Sequence, residues 1–179
     1  MILWKPFSKD GITYDLTHLH PRTVTYEEAA KEGRPARKYT VDVEFGLHCF
    51  TRGFKEGDDV DPGLIYSDAR ESRLFDSHRY DLSKRLPEIV GNLANRKCYH
   101  TKHGNFFTIE IIKDEGHTVQ YEVYFTLSRS SKKGVLNLSV QSAYSHDPEH
   151  QRKHHKKSVG FFVVLFNTLN KRPTNPAPQ

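Results

Sequence analysis

The chain has only two cysteines, Cys49 and Cys98, in 179 residues, too few for a disulfide framework. No apolar run reaches the ~18–20 residues of a membrane span; the longest candidate, Val159 to Leu169, is interrupted by Gly160 and Asn167. The first thirty residues hold no apolar signal segment, so the expected location is the reducing cytosol, with no membrane role. A phosphate-binding glycine loop, a Gly-x-Ser-x-Gly elbow and a His-Glu-x-x-His pair are all missing. Nucleotide hydrolysis, serine-ester chemistry and zinc proteolysis therefore lose their usual warrants. No internal repeat is visible.

What remains suits one core. A chain of this length buries roughly 70% of the surface its unfolded form exposes and needs no staple to fold. A single α+β domain is expected over 1–172, with a disordered tail over 173–179, where three of seven residues are proline. The formal net charge is +5 with eleven histidines counted neutral, and the pI is about 9.1. Such a field favours an anionic partner, of which nucleic acid is the commonest.

Periodicity supplies the elements. The stretches Ile12 to Leu16 and Thr23 to Tyr26 read as short strands, and Glu27 to Lys31 as a helical turn before Gly33 and Pro35. Tyr39, Val41, Val43 and Phe45 alternate with polar residues as a half-buried strand does. A loop follows from Gly53 to Gly63. Leu82, Leu86, Ile89, Val90 and Leu93 recur at helical spacing and predict the principal helix, with Pro87 tolerated in a first turn. Four strand-like runs come next: Phe106 to Ile112, Tyr121 to Leu127, Val135 to Ala143 and Val159 to Leu169, the last with a helix as its alternative, although Phe161, Phe162, Val163 and Val164 favour a buried strand. The expected fold is thus α+β: an antiparallel sheet of four or more strands packed on one principal helix, with an N-terminal β-rich extension. Tyr121, Val123, Phe125, Leu136, Leu138 and Val140 should form the core face.

Four clusters could carry chemistry. In His48-Cys49-Phe50-Thr51-Arg52 a strand ends in an imidazole suited to proton transfer near neutral pH and a guanidinium suited to phosphate. The bland alternative is a packed Cys49 beside a surface His48 and Arg52. The string Arg70-Glu71-x-Arg73-x-x-Asp76-x-x-Arg79-Tyr80 concentrates guanidinium forks that match phosphate oxygens, with Glu71 to orient one or act as a base. The structural alternative, to which Asp68, Asp76 and Asp81 lend weight, is a set of internal pairs that hold a long connection onto the sheet. In Cys98-x-His100-x-x-His103, the spacing fits no standard zinc finger, so His100, Lys102 and His103 are read as proton donors and positive charge, with no metal or other cofactor expected. Ser142-Ala143-Tyr144, followed by His146, places hydroxyls and an imidazole at a strand end. The run His150 to Lys157 is a solvated basic loop or a nonspecific phosphate clamp.

A helix followed by a four-stranded antiparallel sheet whose face carries Arg, His, Ser and Tyr, over roughly Ser83 to Asn170, resembles the barnase, colicin and RelE-type small ribonucleases, many of them toxins. The strings His48-Cys49-Phe50-Thr51-Arg52 and Glu71-x-Arg73-x-Phe75-x-x-x-Arg79-Tyr80 are similar to those of uncharacterised bacterial proteins. The resemblance implies a metal-independent ribonuclease, in which an RNA 2′-hydroxyl attacks the adjacent phosphate. It implies His48 and His100 as the acid–base pair, Arg52, Arg73 and Arg79 as charge stabilisers, and Tyr144 as a positioning or stacking group. The rival is a non-enzymatic module, of bacterial or phage origin, that binds nucleic acid or a protein partner, with Tyr124 and Tyr144 stacking on unpaired bases. A third reading is a metal enzyme built on Cys49, Cys98 and histidines.

Overall fold

A computed structural model of the chain describes residues 2–57, 59–101, 104–114, 117–146 and 158–174, with backbone alone at 113, 114, 117 and 146. In chain order its strands are β1 (Phe7–Lys9), β2 (Ile12–Tyr14), β3 (Arg22–Glu28), β4 (Arg37–His48), β5 (Thr51–Arg52), β6 (Ile65–Ser67) and β7 (Ser72–Phe75). Helices α1 (Ser77–Ser83) and α2 (Leu86–Gly91) follow, then β8 (Lys97–His100), β9 (Phe106–Asp114), β10 (His117–Arg129), β11 (Val135–His146), β12 (Ser158–Gly160) and α3 (Phe161–Leu169).

Seven strands form one sheet in the order β12-β8-β9-β10-β11-β4-β3. All neighbours are antiparallel except β11 and β4, which run parallel. β1 and β2 make a separate hairpin, and β5, β7 and β6 a small third sheet. The expected antiparallel sheet on one principal helix is therefore corrected: the sheet is mixed and extends through the N-terminal half. The alternation that defined β4 was read as belonging to an extension, whereas β4 lies inside the main sheet, between β11 and β3.

The helix expectation also changes. Leu82, Leu86, Ile89, Val90 and Leu93 are all buried, as their spacing requires. The helix itself is broken: α1 ends at Ser83, Pro87 lies in the first turn of α2, and Leu93 falls in a 3-10 turn over Leu93–Asn95. Proline has no N–H and its ring clashes with the preceding turn, so the chain must restart rather than continue. Similarly, the run from Val159 to Leu169 is not a buried strand. Gly160 closes β12 and caps α3, and Phe161, Val164 and Leu165 point into the core while Val163 is 51% exposed. Burial of one stripe overrode the strand preference of its β-branched and aromatic residues. Glu27 and Glu28, expected in a helical turn, extend β3 instead.

The core face of the sheet is the expected one: Tyr121, Val123, Phe125, Leu136, Leu138 and Val140 are all fully buried, with Tyr39, Val41, Val43 and Phe45 beside them. The helices cover this face. The Tyr26 hydroxyl donates to the Val90 carbonyl at 2.6 Å, and Phe161 stands edge-on to Tyr26 and Phe125. From the N-terminal side, the Trp4 indole donates to the Phe45 carbonyl at 2.9 Å.

One irregularity shapes what lies on the other face. The register of β11 shifts between Val140 and Ser142 against β4, a bulge that turns Ser142 and Tyr144 to the face away from the core. Gly46 of β4 lies against it. A Cβ there would stand 3.0 Å from the Gln141 carbonyl oxygen and 3.2 Å from that of Val140, so any side chain would have to push the β11 backbone aside.

Candidate functional site

β4 ends in a tight turn, and its closure sets the site. Cys49 N–H donates to the Gly46 carbonyl, and the Thr51 hydroxyl donates to the Leu47 carbonyl at 2.7 Å. Arg79, at the third position of α1, reaches back beneath this turn. Its Nη1 donates to the carbonyls of Thr51 at 2.9 Å and His48 at 3.3 Å. Its backbone N–H is held by the capping Asp76 carboxylate at 2.9 Å. Burial makes the Arg79 proton less tightly held than in water, but a guanidinium stays charged in proteins.

The turn projects His48 beside β7. His48 Nε2 and Glu71 Oε1 are 2.6 Å apart, with the two side chains 39% and 42% exposed. Accepting this hydrogen bond holds the Glu71 carboxyl below its ordinary range, and Arg73 adds to the effect. Arg73 Nη1 lies 3.4 Å from Glu71 Oε2, while its Nε donates to the Thr51 hydroxyl at 3.0 Å. His48, Glu71 and Arg73 thus form one chain of polar contacts, with Glu71 bridging imidazole and guanidinium.

The neighbouring sheet face adds a second arrangement. Ser142 is the register partner of His48 on one side and of Tyr124 on the other, and Tyr144 is opposite Glu122. Glu122 has no exposed surface, and the Tyr124 hydroxyl donates to its carboxylate. Four rings stack across the strands: Tyr99 on Phe107 at 5.2 Å, Phe107 on Tyr124 at 5.3 Å and Tyr124 on Tyr144 at 5.5 Å. The Arg79 guanidinium lies 5.3 Å from the centre of the Tyr144 ring. Beside it, His78 Nε2 is 3.0 Å from the Ser145 hydroxyl.

Of the residues expected from sequence, His48, Glu71, Arg73, Arg79, Ser142 and Tyr144 come together. His100 does not. It lies on β8, and four strand spacings separate β8 from β4, ~19 Å along the sheet. Burial lowers its basicity, and its ring packs on Phe106. The acid–base pairing of His48 with His100 is therefore corrected. Arg52 is turned onto the Gly53 carbonyl at 3.1 Å. The Arg70 side chain is 75% exposed, its nearest acid Asp68 at 3.6 Å. Lys102, His103 and the run from His150 to Lys157 lie outside the described residues, as do the side chain of His146 and positions 175–179. Cys49 lies in the turn after β4 and Cys98 on β8, both thiols raised to about 12 by burial. Among the described residues no three His, Cys, Asp or Glu side chains converge as metal ligands would.

Sequence reasoning missed the burial of Glu122 and the joining of Thr51 to Arg73. Glu122 alternates correctly for an outward position, and nothing in that alternation distinguishes a solvated glutamate from a buried one.

The family model described as the YjaZ family matches residues 6–169, a span holding every element of this site. Protein YjaZ of Escherichia coli (strain K12) is 33% identical over 178 residues, covering 97% of this chain and 96% of that protein. No solved structure gives a significant match. A shared sequence over nearly the whole of both chains places this protein in the YjaZ family.

Proposed function

We propose that the chain is a metal-independent ribonuclease whose general base is His48, oriented by Glu71. The observation that carries the reading is the 2.6 Å contact between His48 Nε2 and Glu71 Oε1 at an exposed strand end. A carboxylate that accepts a hydrogen bond from one ring N–H fixes the tautomer and leaves Nδ1 as the basic position. In this scheme Nδ1 accepts the proton of an RNA 2′-hydroxyl as its oxygen bonds to phosphorus and the bond to the 5′ oxygen breaks. Arg73 lies beside the dyad with its charge partly shared by Glu71, and the net charge of +5 draws a polyanion to the surface.

The test is a single-stranded RNA with a reporter at each end, incubated with purified protein in excess chelator. Cleavage to 2′,3′-cyclic phosphate ends, lost in His48→Ala, is the expected result. RNA that stays intact with wild-type protein overturns the reading.

One observation favours binding without chemistry. Arg73 binds Thr51 through Nε and Glu71 through Nη1, and Arg79 binds two backbone carbonyls through Nη1, so Arg70 is the most exposed guanidinium of that string. Salt-sensitive RNA binding with no product would support it. Base stacking on Tyr124 gains nothing from the geometry, because Phe107 and Tyr144 already lie against that ring.

A further inference from the structure

A general base accounts for one of the two proton transfers that phosphodiester cleavage needs. With His100 on a distant strand, the second must come from elsewhere. The face of the sheet carrying His48 holds one arrangement suited to it. Glu122 is a carboxylate with no exposed surface, on the face that does not carry the main core. Further along the same face Thr126, Ser128, Asn137 and Ser139 line an open polar groove, as solvated sheet positions do. A carboxylate taken out of water costs several kcal/mol unless hydrogen bonds replace its hydration. Here the Tyr124 hydroxyl supplies one, and the Tyr144 ring stacks on that of Tyr124 in turn, 5.5 Å between ring centres. Burial and the Glu122 contact both make the Tyr124 proton harder to remove.

The three groups therefore run in series from a hidden carboxylate to the partly exposed ring of Tyr144. That ring ends the series on the strand next to His48, with Ser142 between them. The Arg79 guanidinium lies over it at 5.3 Å, so positive charge faces the ring in which negative charge would develop.

We propose that Tyr144 is the general acid of this site, and that Tyr124 and Glu122 are the residues that position its hydroxyl. This rests on the ribonuclease reading above. In the step, the 2′ oxygen bonds to phosphorus and the phosphorus–5′ oxygen bond breaks. His48 Nδ1 holds the 2′ proton, and the Tyr144 hydroxyl gives its proton to the departing 5′ oxygen. Water then returns a proton to Tyr144 and removes one from His48, so the enzyme is regenerated with no net change.

The experiment compares wild type, Tyr144→Phe and Glu122→Gln on two substrates: a dinucleotide, and uridine 3′-(4-nitrophenyl phosphate), whose leaving group departs without a proton. Tyr144→Phe is expected to cut dinucleotide cleavage by about 10²–10⁴-fold, the usual contribution of a general acid, while leaving the nitrophenyl ester nearly unaffected. Glu122→Gln is expected to show the same selective loss on the dinucleotide, in smaller degree. Each variant is first matched to wild type in far-UV circular dichroism and Tm, so that a loss of fold is not counted as a loss of the acid. Equal losses on both substrates, or an unchanged dinucleotide rate in Tyr144→Phe, would overturn the assignment while leaving His48 as base. A wild-type protein that cleaves neither substrate removes the assignment together with the reading it rests on.

Discussion

Glu71 sits twenty-three residues after His48 in sequence, yet its Oε1 is within 2.6 Å of the His48 imidazole because β5 and β7 fold back beneath the end of β4. Both side chains remain close to 40% exposed, 39% and 42% respectively. Glu71→Gln is therefore expected to lower RNA cleavage by about 10- to 100-fold, well short of the ~10⁴-fold that a buried triad carboxylate can supply. Initial rates at neutral pH check this. Because the Glu71 carboxyl is held below its ordinary range, the contact contributes to stability above the unfolded value and is lost as pH falls through the folded one. Exposure keeps that contribution small.

Gly46 lies against two backbone carbonyls of β11 that cannot move independently of the sheet. Gly46→Ala should cost about 1–3 kcal/mol through strain at the bulge. For a domain of this size that is a fall in Tm of roughly 2–10 °C in a calorimetric scan. An unchanged Tm would mean that the bulge can relax, against the contact distances given above.

Adjacent residues of α3 should respond oppositely. Val163 is 51% exposed and Val164 fully buried. Val163→Glu is expected to be nearly silent. Val164→Glu places an unpaired charge in the core and should unfold the protein or cost several kcal/mol. Urea titration of the two variants checks the contrast.

His18 gives the fold an acid-sensitive tie. Its Nε2 is 2.8 Å from the Ser83 hydroxyl, joining the N-terminal segment to α1. Burial lowers its basicity below the usual 6.5; Lys84 and Arg22 act in the same sense and Asp15 against it. The folded state therefore favours the neutral ring, while the unfolded chain takes up a proton more readily. Stability from this site is complete above the unfolded value and declines as pH falls from there through the folded one. Denaturation midpoints measured down that range should fall less steeply in His18→Gln than in wild type.

How much of this was legible in the residues follows from what alternation and spacing encode. The buried faces of β4, β10 and β11 were readable because each has one side in the core, and a period of two marks it directly. The pairing of β4 with β11 was not, since parallel neighbours far apart in sequence leave no turn between them to read. That unread pairing is what brings His48 beside Ser142 and Tyr144. Cluster membership survived better than pairing: Glu71, Arg73 and Arg79 lie on one short β7–α1 segment, so wherever it docked they went together. His100 was misassigned because its residue type suited the chemistry, while its strand lay across the sheet from β4.

The side-by-side parallel alignment of β4 with β11 also bears on when this protein becomes competent. The first half of the chain can close its own hairpin from β3 and β4, with His48 and Glu71 already within reach of each other. Ser142 and Tyr144 cannot join them until β11 has docked, a long loop closure that local contacts do not assist. A polypeptide interrupted before β11 would carry half a constellation and a bare, β-rich flank on β4. Completing the cluster and protecting that flank both wait on the same docking of β11.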